Sequence, residues 1–289
     1  MDIRQSKFWQ IYLEKLGWKI INMGGTRVYV RKILFGSVIK IPKANPPINF
    51  NEIEKIAKKE KSFFVKIEPN VTVENKNLGK TLKSKDFTED SWSLQPTKTL
   101  EINLVPTEEE LLKNMEKDTR YSIRRSQREG VVVEKSQDIE TFVSLHVQTS
   151  KRQRFWVSTR DSKSLWNSLP EENKTILFAK KNGEILAGAF LIFYNEKAYY
   201  YQAGSTAKKR ELLAPYLVVW ESIKLAKEKG CEKFDFEGIE DKRIKVTKKW
   251  KGFTHFKRGF GGYEIEYLGS FVKYYNPVVK LIFSFNRFF

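Results

Sequence analysis

Three extended runs, "TILFAKKNG", "EILAGAFLIFY" and "AYYYQAGS", follow one another between Thr175 and Ser205, and Asn182-Gly183 sits between the first two as a two-residue hairpin signal. A long amphipathic helix, "ELLAPYLVVWESIKLAKEKG", comes next, and then a strand, "CEKFDFEG". A helical stretch, "DIETFVSLHVQTSK", precedes them. This order constrains the fold more than any other feature, because a helix between strands demands a sheet covered by helices. The upstream half repeats the grammar. Apolar positions 8, 11, 12 and 16 mark a helix ended by Gly17, and "RVYVRKILFGSVIKIPK" and "SFFVKIEPN" read as strands broken by Asn45-Pro46-Pro47 and Pro69-Asn70. Thr107 and Glu110 form a capping box that opens a helix predicted to run to Glu129 before Gly130, with a strand at Val131–Val133. Two α/β halves of similar size are expected, 1–135 and 136–270, followed by a C-terminal helix in 271–289. No residue-level repeat links the halves.

Charge and composition limit what such a fold can serve. With 289 residues, 40% of them hydrophobic, the chain can fill real cores. One cysteine, Cys231, excludes an internal disulfide, and two histidines, His146 and His255, cannot build a Cys/His zinc cluster, so no metal site is expected. No apolar run approaches the roughly 18 residues of a membrane span, and "MDIRQSKFWQ" lacks the apolar stretch of a secretory signal. The expected compartment is cytoplasmic. Against 35 acidic residues stand 53 Lys and Arg, a net charge of +18 that favours nucleic acid, anionic lipid or a phosphorylated substrate. Arg120, Arg124 and Arg128 recur every fourth residue and define one cationic helix face, a candidate for tRNA.

The order of elements in the second half resembles an N-acetyltransferase (GNAT) domain, whose acetyl-CoA diphosphate sits on a helix N-terminus behind a glycine-bearing loop. Here the loop reads "STAKKRELLAPY" and has no glycine, so coenzyme A is not expected there.

Four stretches, "QPTKTLEINL", "MEKDTRYSIRRSQREGVVV", "LLAPYLVVWESIKLAKEKGCEKFDFEGI" and "FKRGFGGYEIEYLG", in this order, resemble the Fem-type (FemABX) peptidyltransferase family from about residue 60 onward. The resemblance implies an α/β (α+β) chain of two tandem GNAT-like domains, with mixed sheets flanked by helices. It implies transfer of an amino acid from aminoacyl-tRNA to an amine of a nucleotide- or lipid-linked peptidoglycan precursor. Aminoacyl-tRNA is then a co-substrate, and no cofactor is expected. A monomer is expected, and the family's long helical arm has no counterpart here.

Residue roles follow from the same resemblance. Lys257, after Phe256, takes the lysine that stabilises the transition state, beside the oxyanion of a tetrahedral intermediate, with phenylalanines excluding water and Gly259, Gly261 and Gly262 admitting an acceptor stem. His255 would share a face with Lys257 in a strand and is the alternative base. Arg152, or Arg154 by local spacing, and Trp156 take the positions that hold the precursor diphosphate, with Tyr216 at a helix start and Lys40 in the first half. Asp235 takes an acidic position in a buried strand, and Glu237 follows on the same face. His146 falls in register with Ile139 and Phe142, as a core histidine does. The tail has apolar positions at 278, 279, 282, 283, 285, 288 and 289 and is expected to pack on the first domain, with peripheral contact at the inner membrane leaflet as the alternative. Competing functions are a GNAT-type N-acyltransferase for another amine and a non-enzymatic tRNA- or RNA-binding protein.

Overall fold

The computed structural model describes residues 1–285, and side chains as far as residue 282. In chain order the first elements are α1 (Lys7–Lys15), β1 (Lys19–Met23), β2 (Thr26–Ile33), β3 (Gly36–Ala44), α2 (Phe50–Lys59), β4 (Ser62–Pro69), α3 (Lys76–Ser84) and β5 (Thr88–Asp90). There follow β6 (Lys98–Asn103), α4 (Glu108–Asn114), α5 (Lys117–Arg128), β7 (Val132–Ser136), α6 (Ile139–Gln153), α7 (Thr159–Trp166), β8 (Lys174–Lys181), β9 (Glu184–Tyr194) and β10 (Lys197–Ser205). The chain continues through α8 (Ala214–Glu228), β11 (Lys233–Gly238), α9 (Lys251–Arg258), β12 (Tyr263–Glu266), β13 (Ser270–Tyr274) and α10 (Pro277–Phe285).

Two compact units result. The first holds Met1–Lys98, Asp241–Val246 and the chain from Ile265 on. Its six-stranded sheet runs β1-β2-β3-β4-β13-β5. Only β3 and β4 are parallel, as their crossover through α2 requires. Side chains that alternate toward one face, Val28, Val30, Ile39, Ile41, Val65 and Ile67, bury against Ile53, Ile56 and Ala57 of α2 and Leu82 of α3. Asn49 caps α2 by accepting from Glu52 N–H at 3.0 Å.

The second unit holds Thr99–Glu240 and Thr247–Glu264, around a seven-stranded sheet ordered β12-β6-β11-β10-β9-β8-β7. Asn182 and Gly183 both have positive φ, 52° and 79°, and close the expected β8–β9 hairpin. After the β9–β10 hairpin, α8 crosses over to bring β11 parallel to β10. One face of this sheet, with Ala189, Leu191, Ala198, Phe234 and Phe236, buries against Leu217, Val218 and Ile223 of α8. The other face carries α6 and α7, from which Phe142 and Trp166 meet Phe190 of β9 edge-on, with ring centroids 6.1 and 5.1 Å apart.

Three expectations are corrected. The capping box at Thr107 is present, with Glu110 N–H donating to Thr107 Oγ1 at 3.3 Å, but the helix it opens ends at Asn114 and restarts at Lys117. The break is tertiary, because Glu116 N–H donates to the Gly259 carbonyl at 2.9 Å instead of continuing a helix. The boundary expected at 135/136 falls at the end of β7, which pairs with β8 inside the second unit, and the division lies at 98/99. Hydrogen-bonded neighbours, not chain order, delimit a sheet: β13 returns to pair with β4 and β5, so the segment from residue 271 opens as a strand before α10 begins. On α10, Val278, Leu281 and Ile282 are exposed. The apolar positions at 283, 285, 288 and 289 lie outside the described side chains.

Candidate active site

The stretch Phe253–Gly262 is helical where it carries the lysine. α9 spans Lys251–Arg258, so side chains at 253, 256, 257 and 260 fall along one stripe at helical spacing. Three are phenylalanines. Phe256 meets Tyr216 edge-on at 4.9 Å and Phe260 at 5.3 Å, and Phe260 meets Phe236 of β11 at 5.7 Å. Phe253 touches Phe155 edge-on at 6.3 Å. Lys257 is the fourth member of this stripe and reaches β11, where Nζ donates to the Gly238 carbonyl at 2.6 Å. Burial pushes its pKa down from 10.5 to about 8, against the pull of Glu237 and then of Asp235. An ammonium poised this way sits in weakly solvated surroundings, where its field acts strongly.

The end of β11 is shaped by its acids. Asp235, buried, accepts from Glu237 N–H at 2.8 Å, and the Thr99 hydroxyl lies within reach of both the Asp235 carboxylate and the Glu237 carbonyl, the latter at 2.8 Å. Glu237 therefore bends into the left-handed region at φ 60°, and the β11–β6 register breaks between Asp235 and Gly238. Glu237 thus does not continue the face of Asp235 as a regular strand would. Asp235 Oδ2 also lies 3.5 Å from Lys197 Nζ, which pairs in turn with buried Glu101, and Tyr263 O–H donates to Glu101 Oε2 at 3.3 Å. Neither this acid network nor the bend at Glu237 was expected. The alternation Phe234-Asp235-Phe236-Glu237 carried a partial signal of it.

The helix also corrects the roles of its neighbours. His255 lies two positions from Lys257, nearly opposite on a helix, and is exposed, so the shared face of a strand does not form. The glycines are used within the protein. A Cβ on Gly259 would run into Thr119 Oγ1, and one on Gly262, at φ 93°, into the Glu101 carbonyl.

The other candidates divide. Arg152 ends α6 with its guanidinium on Ser205, at 3.0 Å to the carbonyl and 2.9 Å to Oγ, and burial followed by the nearby Arg210 lowers its pKa. Two guanidinium groups so placed suit an anion. Arg154 is instead the exposed, left-handed C-cap of α6, and Trp156, in the following loop, is 83% exposed. Tyr216 stacks on Phe260 at 5.9 Å, and burial first, then Asp118 and Glu116, raises its pKa. Lys40, on β3 of the first unit, places Nζ 4.0 Å from the Trp18 ring centroid. On α5, Arg124 and Arg128 are exposed, whereas Arg120 donates to the Lys113 carbonyl at 3.2 Å and to that of Met115, closing the end of α4. Of the predicted three-arginine face, Arg120 is thus tied to the backbone and Arg124 and Arg128 are exposed. His146 is the core histidine expected, with Nδ1 2.8 Å from the Ala203 carbonyl and its pKa lowered by burial. At the start of α8, Leu213 caps at φ 54°, Pro215 has no N–H, and Tyr216 N–H donates to the Leu213 carbonyl at 3.0 Å. Few donors remain there for a coenzyme A diphosphate. Among the described residues no group of three or more His, Cys, Asp or Glu side chains is placed to hold a metal, and no helix is long and apolar enough to cross a membrane.

Two mixed sheets flanked by helices, each with a parallel pair made by a helical crossover, define an acyltransferase fold of the GNAT type. A tandem GNAT protein from the clavulanic acid biosynthesis pathway superposes with a TM-score of 0.51 at 10% identity, covering 89% of this chain and 82% of its own. FemX superposes with a TM-score of 0.82 at 20% identity, covering 97% and 94%. The chain belongs to the FemAB family, whose model matches residues 47–163 and 159–286. A lipid II:glycine glycyltransferase from Staphylococcus haemolyticus (strain JCSC1435) is 26% identical over 97% of this chain and 90% of its own length.

Proposed function

We propose that this protein is an aminoacyltransferase that moves an amino acid from aminoacyl-tRNA to an amine on the stem peptide of a peptidoglycan precursor, in interpeptide bridge formation. The observation that carries the reading is the Lys257 ammonium, held at 2.6 Å on the Gly238 carbonyl within a phenylalanine stripe. In the reaction the acceptor nitrogen attacks the aminoacyl ester carbonyl. A C–N bond forms, the ester C–O bond breaks, and the ribose oxygen of the tRNA leaves with the proton that the nitrogen gives up. The carbonyl oxygen is negative in between, and a fixed ammonium beside it lowers the barrier by about 3 to 4 kcal/mol. The ester is already activated, so no cofactor is needed.

Arg152 with Arg210 suits the precursor diphosphate, and Arg124 and Arg128 suit tRNA phosphates. The relatives' name, lipid II:glycine glycyltransferase, makes glycine and a lipid-linked precursor the first donor and acceptor to assay. On this reading the protein works as a monomer in the cytoplasm, at the inner face of the membrane where a lipid-linked acceptor resides, and exposed Val278, Leu281 and Ile282 offer it a peripheral contact.

The test is transfer of radiolabelled glycine from charged tRNA to lipid-linked and nucleotide-linked pentapeptide. Transfer by wild type, reduced about 10²- to 10³-fold in Lys257→Met, is the expected result. Absence of transfer to both acceptors, from a mixed pool of charged tRNAs, overturns the reading. Tight tRNA binding indifferent to charging would then favour the RNA-binding alternative, and saturable acetyl-CoA binding the N-acyltransferase.

A further inference from the structure

We propose that the tip of the β2–β3 hairpin, Ile33-Leu34-Phe35, is a membrane-docking element that enters the headgroup region of an anionic lipid bilayer beside α10. The proposal adds a new contact to the peripheral one that α10 offers, and it stands whether or not the protein transfers an amino acid. Its basis lies wholly in the first unit.

The tip presents apolar groups to solvent where polar ones would suit the turn better. Ile33 pairs with Gly36, so Leu34 and Phe35 make a two-residue turn. Phe35 sits at φ 65°, in the left-handed region where such a turn selects glycine or asparagine. Ile33, Leu34 and Phe35 are 44%, 77% and 86% exposed. Three consecutive exposed apolar residues, one of them in a backbone conformation that disfavours it, mark a surface kept for contact. The base of the tip is tied down. Ser37 N–H donates to the Lys61 carbonyl at 3.1 Å and Ser37 Oγ to that of Glu60 at 2.8 Å, and a Cβ on Gly36 would meet the Phe63 ring at 2.6 Å. Leu34 and Phe35 therefore project from the end of the sheet on a base bonded to the turn between α2 and β4.

Two neighbours select the occupant. The first is α10. Strands β3, β4 and β13 are adjacent, and the Tyr275 and Asn276 N–H groups donate to the Phe63 carbonyl at 2.9 and 3.3 Å. Thus α10 starts at the same end of the sheet as the hairpin tip, about 10 Å away by strand spacing. Its exposed Val278, Leu281 and Ile282 fall on one stripe, three and four residues apart. The second neighbour is charge. Arg31 and Lys32 precede the tip, and Lys58, Lys59 and Lys61 lie at the C-terminal end of α2 and just after it, all exposed. The nearby acids Glu60, Glu54 and Asp86 are matched: Glu60 meets Lys19 at 2.6 Å and Lys32 at 2.9 Å, and Glu54 and Asp86 meet Lys273 at 2.8 and 3.4 Å. A cationic collar around two apolar projections fits a bilayer carrying anionic lipid, which takes the apolar groups below its headgroups and the cations at their level. A second copy of the chain would set the same cations against one another, and RNA would leave Leu34 and Phe35 in water.

The test is co-sedimentation of the full chain with phosphatidylcholine vesicles, with and without phosphatidylglycerol, at low and at physiological salt. Wild type should pellet with the phosphatidylglycerol vesicles, less so as salt rises, and stay in solution with phosphatidylcholine alone. Leu34→Ser combined with Phe35→Gly should weaken binding by about 100-fold. The melting temperature of that variant should hold or rise, because glycine suits φ 65°. Lys58→Glu combined with Lys61→Glu should weaken binding by about fivefold or more per lysine. Wild type left in solution with both kinds of vesicle overturns the proposal, as does binding that survives either pair of substitutions. A wild-type dimer in sedimentation velocity that Leu34→Ser with Phe35→Gly dissolves would give the tip to a second copy and overturn it too. Transfer to nucleotide-linked pentapeptide, a soluble acceptor, should be the same in that variant as in wild type. If wild type transfers to no acceptor, the acyl-transfer reading fails, and the vesicle experiment still decides whether the hairpin docks on a membrane.

Discussion

Lys257→Met should make the protein more stable at neutral pH while removing activity. The wild-type lysine is charged in a site that disfavours charge, and a pKa lowered from 10.5 to about 8 corresponds to a folding penalty of about 3 kcal/mol. Because the folded value lies below the unfolded one, the penalty is complete below about pH 8, shrinks as pH rises, and is gone above about 10.5. Methionine has similar length and fits the stripe of Phe253, Phe256 and Phe260, but it leaves the Gly238 carbonyl without the donor that now sits at 2.6 Å. That loss costs about 1 to 3 kcal/mol. The net expectation at pH 7 is a gain of about 1 kcal/mol. The assay is urea unfolding of both proteins at pH 7 and pH 10, with circular dichroism as the reporter. The difference between them should shift against the methionine variant by about 2 to 3 kcal/mol across that range. A difference independent of pH would refute the argument, because it would mean that the ammonium is not desolvated in the folded state.

Phe256→Ala should cost about 3 kcal/mol or more in stability, since the ring meets both Tyr216 and Phe260, and should lower transfer as well by loosening α9; wild-type stability and rate would remove Phe256 from the site's support. Arg124→Ala and Arg128→Ala should each reduce the salt slope of tRNA binding by about 1 and leave the melting temperature unchanged, whereas Arg120→Ala should lower the melting temperature, because its guanidinium closes the end of α4; equal effects in all three would refute the division. In the first unit, burial raises the Glu68 pKa to about 7 against the Leu94 N–H, Lys43, the Gln95 N–H and Lys66, and its Oε2 has no hydrogen-bond partner among the described residues. The folded state then keeps a proton that the unfolded chain releases, so this residue's contribution is present at pH 4.5 and lost as pH rises through 7. Glu68→Gln should flatten that fall in a stability profile, and an unaltered profile would show that Glu68 does not titrate there.

How much of this could be read in advance depended on the range of the interaction. The second sheet was legible because its signals are local: Asn182-Gly183 needs only two residues with positive φ, and the period of α8 is written within its own segment. The site was legible in part. Lys257 was named through a family likeness, although the spacing of Phe253, Phe256, Lys257 and Phe260 already describes one helix stripe with a cation in it, which the reading of that segment as a strand passed over. Gly259, Gly261 and Gly262 answer to Thr119, Asn114 and Glu101, residues far away in sequence, and no local pattern announces such neighbours. The same holds for the break between α4 and α5. No proline or glycine marks it, and it exists because Glu116 bonds to Gly259. The left-handed bend at Glu237 is the extreme case, since it depends on Asp235 within its own strand and on Thr99 from another, and period-two alternation predicted the opposite geometry. Local pattern therefore located the strand of Asp235 and Glu237 but read the Lys257 segment as a strand too, and the long-range bonds that join the ends of β11, α9 and α5, Lys257 to Gly238 and Glu116 to Gly259, lay outside its reach.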